Sequence, residues 1–213
     1  MAKATKERAK VTAIGGEAPT NGAMQDVELS TPYRAIVEIE GVAPILFHRW
    51  NCEAVEEKSK AAKGSKAKKT DNIESYVYRN SDGELCIPGE YIRRACVETG
   101  RSLQDPRSPR KSAKDLFNAV IFSLTELASL GVSDWDYEDK RRVVVQRNAI
   151  TRVRPAMKEG WKAEFIMLVV EPSYVPPMLL QQVVSQAGRL VGLGDFRPSY
   201  GRYAVTRFEV IED

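Results

Sequence analysis

The chain carries a single histidine, His48, and only three cysteines, Cys52, Cys86 and Cys96. One imidazole with no thiol at finger spacing is too few ligands for a structural zinc site. Three cysteines without a C-x-x-C pair read as reduced thiols rather than a disulfide framework. No stretch approaches the roughly 20 apolar residues of a membrane span, and no apolar segment follows the charged first ten residues, as a secretory signal would require. The sequence also lacks a G-x-S-x-G elbow, an H-E-x-x-H pair, a P-loop and an acidic cluster at metal-binding spacing. Acid–base chemistry needs titratable groups held together at reactive geometry. With none in prospect, no catalytic residue, metal or cofactor is expected, and Asp134, Asp136, Glu138 and Asp139 read as a solvated acidic turn.

What is present suits one globular domain: 213 residues, of which 43% are hydrophobic and 29% charged. The net charge of +3 is small, yet cations gather in Lys58 to Lys69, Arg101 to Lys114, Lys140 to Lys158 and Arg189 to Arg207. Residues 1–30 show no period and read as a flexible arm, leaving a single domain over 31–213. A lysine-rich tract without an apolar face interrupts that domain at about 51–72 and reads as a mobile insertion.

Within the domain, Tyr33, Ala35, Val37 and Ile39 alternate with polar residues as a half-buried strand does. Ser81-Asp82-Gly83 is a turn before a short strand, Leu85 to Ile87. Pro88 opens a helix that buries Ile92, Ala95, Cys96 and Thr99, turns Arg93 and Arg94 outward, and ends at Gly100 as a left-handed cap. Residues 101–113 read as a basic loop and Val120 to Phe122 as a strand. Arg142 to Ile150 and Ala163 to Val170 read as two further strands joined by an irregular segment. Pro176-Pro177 starts a second helix whose stripe is Leu179, Leu180, Val183, Val184, Ala187 and Val191. A last strand, Tyr203 to Val210, faces Ala204, Phe208 and Val210 inward. The order strand, helix, strands, helix, strand predicts an α+β fold: a ferredoxin-like, RNA-recognition-type antiparallel sheet with two main helices and large insertions.

The turn after the second helix carries the clearest chemistry. Gly188, Gly192, Gly194 and Gly201 would let backbone amides approach a phosphate, and Arg189, Arg197 and Arg202 add charge. Phe196, Tyr200 and Tyr203 offer faces on which bases stack, with Phe196 of the three also read as a plug of the core. Further candidate nucleic-acid contacts are His48 and Arg49 after the first strand, Lys66, Lys68 and Lys69 in the insertion, Arg93 and Arg94 on the first helix, and Arg152 and Arg154.

Two motifs together carry a family resemblance. Leu85-Cys86-Ile87-Pro88-Gly89, leading into a helix with Arg93 and Arg94, resembles the helix start of the RAMP superfamily, the repeat-associated CRISPR proteins. Gly188 to Pro198, followed by Gly201-Arg202-Tyr203, is similar to the C-terminal glycine-rich loop of that superfamily. Pro44 to Arg49 near the first strand also resembles short phage and prophage proteins. The resemblance implies a palm, a thumb-like insertion supplied by Lys58 to Lys69 or Arg101 to Lys114, and head-to-tail packing of copies around a guide RNA. RNA-cutting relatives use an N-terminal histidine or a loop aspartate; His48 does not match the first position, and no aspartate matches the second. The expected function is therefore non-catalytic, cytoplasmic binding of single-stranded nucleic acid, with RNA favoured over DNA, by an oligomer, with no membrane partner. Alternatives are an endoribonuclease using His48, a phage structural or protein-interaction protein, and a single-strand annealing protein.

Overall fold

The computed structural model describes residues 31–49, 72–145 and 148–211. The predicted arm over 1–30 and the insertion with Lys66, Lys68 and Lys69 lie outside the described residues. In chain order the strands are β1 (Tyr33–Gly41), β2 (Ile45–Leu46), β3 (Tyr78–Arg79), β4 (Leu85–Pro88), β5 (Gln104–Asp105) and β6 (Ser108–Ser112). They continue as β7 (Ile121–Ser123), β8 (Leu127–Ser129), β9 (Tyr137–Val145), β10 (Asn148–Met157), β11 (Lys162–Val169) and β12 (Tyr203–Ile211). The described helices are α1 (Gly89–Thr99), α2 (Lys114–Val120) and α3 (Pro177–Leu190), with single 3-10 turns at Ile73–Tyr76 and Gly100–Ser102.

A four-stranded antiparallel sheet in the order β12-β1-β11-β7 forms the centre. With α1 and α2 between β1 and β7, and α3 between β11 and β12, this is the ferredoxin-like β-α-β-β-α-β arrangement. Alternation in β1 buries Tyr33, Ala35, Val37 and Ile39, and β11 answers with Ala163, Phe165, Met167 and Val169. On that face lie Ile92, Ala95 and Cys96 of α1 and Leu180, Val183, Val184 and Ala187 of α3. Each large apolar side chain so buried contributes roughly 1.5–3 kcal/mol, which makes this layer the main source of stability. The other face carries ion pairs, Glu38 with Arg207 and Glu40 with Lys162. Cys86 and Cys96 are buried free thiols, and burial pushes Cys96 up to about 12, which leaves it inert. Among the described residues no helix is long and apolar enough to cross a membrane.

Several local expectations change. Gly100 adopts right-handed φ −57° and carries the chain into a 3-10 turn instead of a left-handed cap. Its lack of a side chain serves packing, since a Cβ there would lie 2.9 Å from the Lys114 backbone. The basic loop folds as the hairpin β5–β6. The stretch read as one strand ending at Ile150 is a long hairpin instead: β9 pairs with β10, and β10 runs on through Arg154 and Pro155 where an irregular segment was expected. Pro155 is tolerated there because its pairing partner is Glu138 on one side and its carbonyl takes the Phe47 amide on the other. Ala204 faces outward: a register shift between Glu38 and Ile39 inverts the alternation of β12, while Phe208 and Val210 stay on the core. Arg93 does not point away either, because it donates to the Ile121 and Asn118 carbonyls and covers the Phe122 ring.

Candidate nucleic-acid interface

Beside the main sheet, β2 pairs with β10 and β10 with β9, forming a second, three-stranded sheet. In an antiparallel pair, opposed residues share a face. Arg152 opposite Arg141 and Arg154 opposite Asp139 therefore line one side of the hairpin. The glycine-rich segment is laid against β2 by backbone bonds: the Asp195 amide donates to Leu46 and the Gly201 amide to Pro44.

That docking explains the glycines. A Cβ on Gly194 would stand 2.5 Å from the Leu46 carbonyl oxygen, and one on Gly201 1.7 Å from that of Leu193; both glycines also hold positive φ. The loop amides meanwhile bond internally, Gly192 to Ala187, Leu193 to Gly201 and Tyr200 to Phe196. Instead of cradling a phosphate, these glycines let one backbone approach another.

What the loop positions is Asp195. Its Oδ2 accepts from Arg154 Nε at 3.1 Å and lies 3.7 Å from His48 Nδ1, and its Oδ1 takes the Phe196 amide. Arg154 is 2% exposed and its guanidinium stands 4.4 Å over the Tyr76 ring, which His48 meets edge-on at 5.5 Å. A second arginine, Arg141, is bound by Asp139 and by the Tyr200 hydroxyl and sits 4.4 Å over Tyr200 and 5.3 Å over Phe196. A third, the exposed Arg49, lies 5.0 Å over Tyr78, and Tyr91 packs against Tyr78 at right angles. Burial, then the neighbouring Tyr78, raises the Tyr91 phenol well above its usual range. Each planar cation thus rests on an aromatic face, the arrangement that cation–π attraction favours. Together they make a ledge of alternating arginine and aromatic side chains. An open groove of about 950 Å³ continues from it between α1, α2 and the loop, with Arg94, Lys114 and Arg197 among its lining residues.

Of the residues predicted from sequence, His48, Arg49, Arg152, Arg154, Arg197 and Tyr200 come together here. Arg94 borders the groove, exposed and paired with Glu90 at 2.9 Å. Arg93 is a structural tie, Arg189 stands on the exposed side of α3, and Arg202 is exposed where its carbonyl receives the Val42 amide. Tyr203 offers no stacking face: it is 1% exposed and donates to the Val184 carbonyl. Phe196 conversely is no core plug, since Leu193 fills that role while Phe196 faces Arg141. Tyr76, Tyr78, Tyr91, Arg141, Asp139 and Asp195 were not predicted. The nearest signal is the spacing Tyr76-Val77-Tyr78, where Tyr76 ends the 3-10 turn and Tyr78 opens β3.

No protein-family model matches the chain, and no curated protein matches it. Among solved structures the chain is similar to one in the cryo-EM structure of the Type III-B Cmr-beta bound to cognate target RNA. Identity is 11% and the TM-score 0.53, and the match covers 85% of this chain. The likeness is one of fold, and this chain spans 61% of that one's length.

Proposed function

We propose that this protein binds single-stranded nucleic acid, RNA in preference to DNA, along the arginine–aromatic ledge, as a non-catalytic subunit of an RNA-containing, CRISPR-type assembly. The observation that carries the reading is the ledge itself, planar cations seated on aromatic faces beside an open groove, with Arg49 and Arg141 at its surface and Arg154 buried beneath them. Bases stack on such faces without regard to sequence, each for about 1–3 kcal/mol, and exposed arginines meet the phosphates between them. The likeness to a chain from an RNA-bound Cmr structure supports RNA over DNA and a RAMP-like ancestry. Head-to-tail assembly of copies belongs to the same proposal.

Fluorescence anisotropy with labelled single-stranded RNA, single-stranded DNA and duplex tests it. Arg49, Arg152 and Arg197 have no carboxylate partner among the described residues, so three phosphate contacts and a log–log salt slope of about −2 are expected on single-stranded RNA. Tyr200→Ala should weaken binding about tenfold with the slope retained, because it removes a stacking face and no charge. Equal affinity for duplex, or a flat salt response, contradicts the reading.

A second reading, RNA cleavage with His48 as acid–base group, has one observation in its favour, the 3.7 Å approach to Asp195. A carboxylate orients an imidazole in this way in many hydrolytic sites. Against it, Asp195 is already engaged by Arg154 and the Phe196 amide. Loss of RNA cutting in His48→Ala, with binding retained, would establish it.

A further inference from the structure

A second groove, of about 640 Å³, opens on the other side of α1, bounded by β3, the α1 N-terminus and the turn from β7 to β8. Arg49 and Tyr78, the outermost stacked pair of the ledge, form one wall. Leu124 and Leu127 contribute apolar surface, and Leu124 is half exposed. The rim is acidic. The Glu126 carbonyl receives the Gly89 amide at 3.0 Å, which sets Glu126 beside Glu90. Glu90 holds Arg93 and Arg94 through Oε1, whereas the Glu126 carboxylate makes no ion pair among the described residues. The other cation on the lining, Arg79, is committed to Glu74 and to the Gly83 and Ser133 carbonyls.

Among the described lining residues this chemistry disfavours a phosphate, which would meet two carboxylates and one arginine not already paired. It suits a flat group that stacks on one side and donates hydrogen bonds at its edge, because carboxylates only accept. Nucleobases have that form, and guanine has it best: its N1–H and N2–H₂ present adjacent donors to one carboxylate. Uracil offers a single N–H between two carbonyls that the carboxylates repel. We propose that this groove is a base-recognition pocket that selects guanine within a strand held on the ledge. The inference rests on the single-strand reading above and adds sequence choice to it at one position.

The test compares 12-nucleotide oligouridylate with the same strand carrying one central guanine, adenine or cytosine, by anisotropy. The guanine strand should bind on the order of tenfold tighter than oligouridylate, within the range of a good bidentate base contact. Glu126→Ala, whose side chain is exposed, should keep its thermal midpoint and bring that ratio below about threefold. Equal affinity for all four strands, with the salt-dependent binding intact, overturns the pocket and leaves the ledge standing. A guanine preference unchanged in Glu126→Ala removes the carboxylate that defines it and overturns it equally. Failure to bind any strand overturns the ledge itself, and the pocket with it.

Discussion

At the scale of single residues, Arg154 and Asp195 show how charge is used inside the fold. Arg154 is 2% exposed, and the carboxylate facing it at 3.1 Å retains 28% of its side-chain surface. Removing the acid strands a buried guanidinium, and breaking such a pair costs about 3–5 kcal/mol. Asp195→Ala should therefore lower the unfolding free energy in urea by about 3 kcal/mol, near the lower end because Asp195 is partly solvated. Adding Arg154→Met should restore part of the loss, since an uncharged side chain of similar length no longer needs the acid. A double variant less stable than Asp195→Ala alone would contradict this. Arg154 was visible in the sequence as a basic residue and Asp195 as part of a glycine-rich turn. Their pairing was not, because only the sheet brings positions 41 residues apart into contact. For the same reason Arg154 looked like a phosphate ligand when it is a buried strut.

At the scale of elements, periodicity served well where an element has one buried face. The alternation of β1 and the stripe of α3 were legible, because each packs on a single layer. It failed in the β9–β10 hairpin, which lies outside the main sheet, and Pro155 looked like a break. It failed again in the hairpin β5–β6, whose fold depends on polar contacts. There Asp105 is 3% exposed and takes the Arg107 guanidinium through both oxygens at 3.0 and 2.8 Å, while Arg107 also covers Tyr174 at 5.8 Å. The hydrogen bonds from Arg107 hold the Asp105 carboxyl below its ordinary value. A depressed acid contributes stability that is fully present above its unfolded value, about 3.9, and is lost as pH falls through the folded one. Asp105→Asn should accordingly lower the thermal midpoint at neutral pH, and the gap to the native protein should close as pH drops below about 4. A gap that stays constant into acid would show that the ion pair is not its source.

At the scale of the whole molecule, the α+β class and the ferredoxin-like order could be read from strand and helix spacing alone. The proposed binding surface could be read only in part, because its residues come from separate pieces: the segment after β2, the turn into β3 and β3 itself, α1, the β9–β10 hairpin and the loop after α3. Short-range pattern finds cations such as Arg49, Arg94, Arg152 and Arg197 but not the tyrosines that seat the arginines. On the proposed reading a strand would run from the groove beside Arg197 across Tyr91 and Tyr78 to Arg49. The most direct test is zero-length photocross-linking of 4-thiouridine-substituted single-stranded RNA to the full chain, with the modified peptides sequenced by mass spectrometry. Cross-links at Tyr78, Tyr91, Phe196 and Tyr200 are predicted; cross-links confined to the β5–β6 hairpin or to the Arg189 side of α3 would contradict the account.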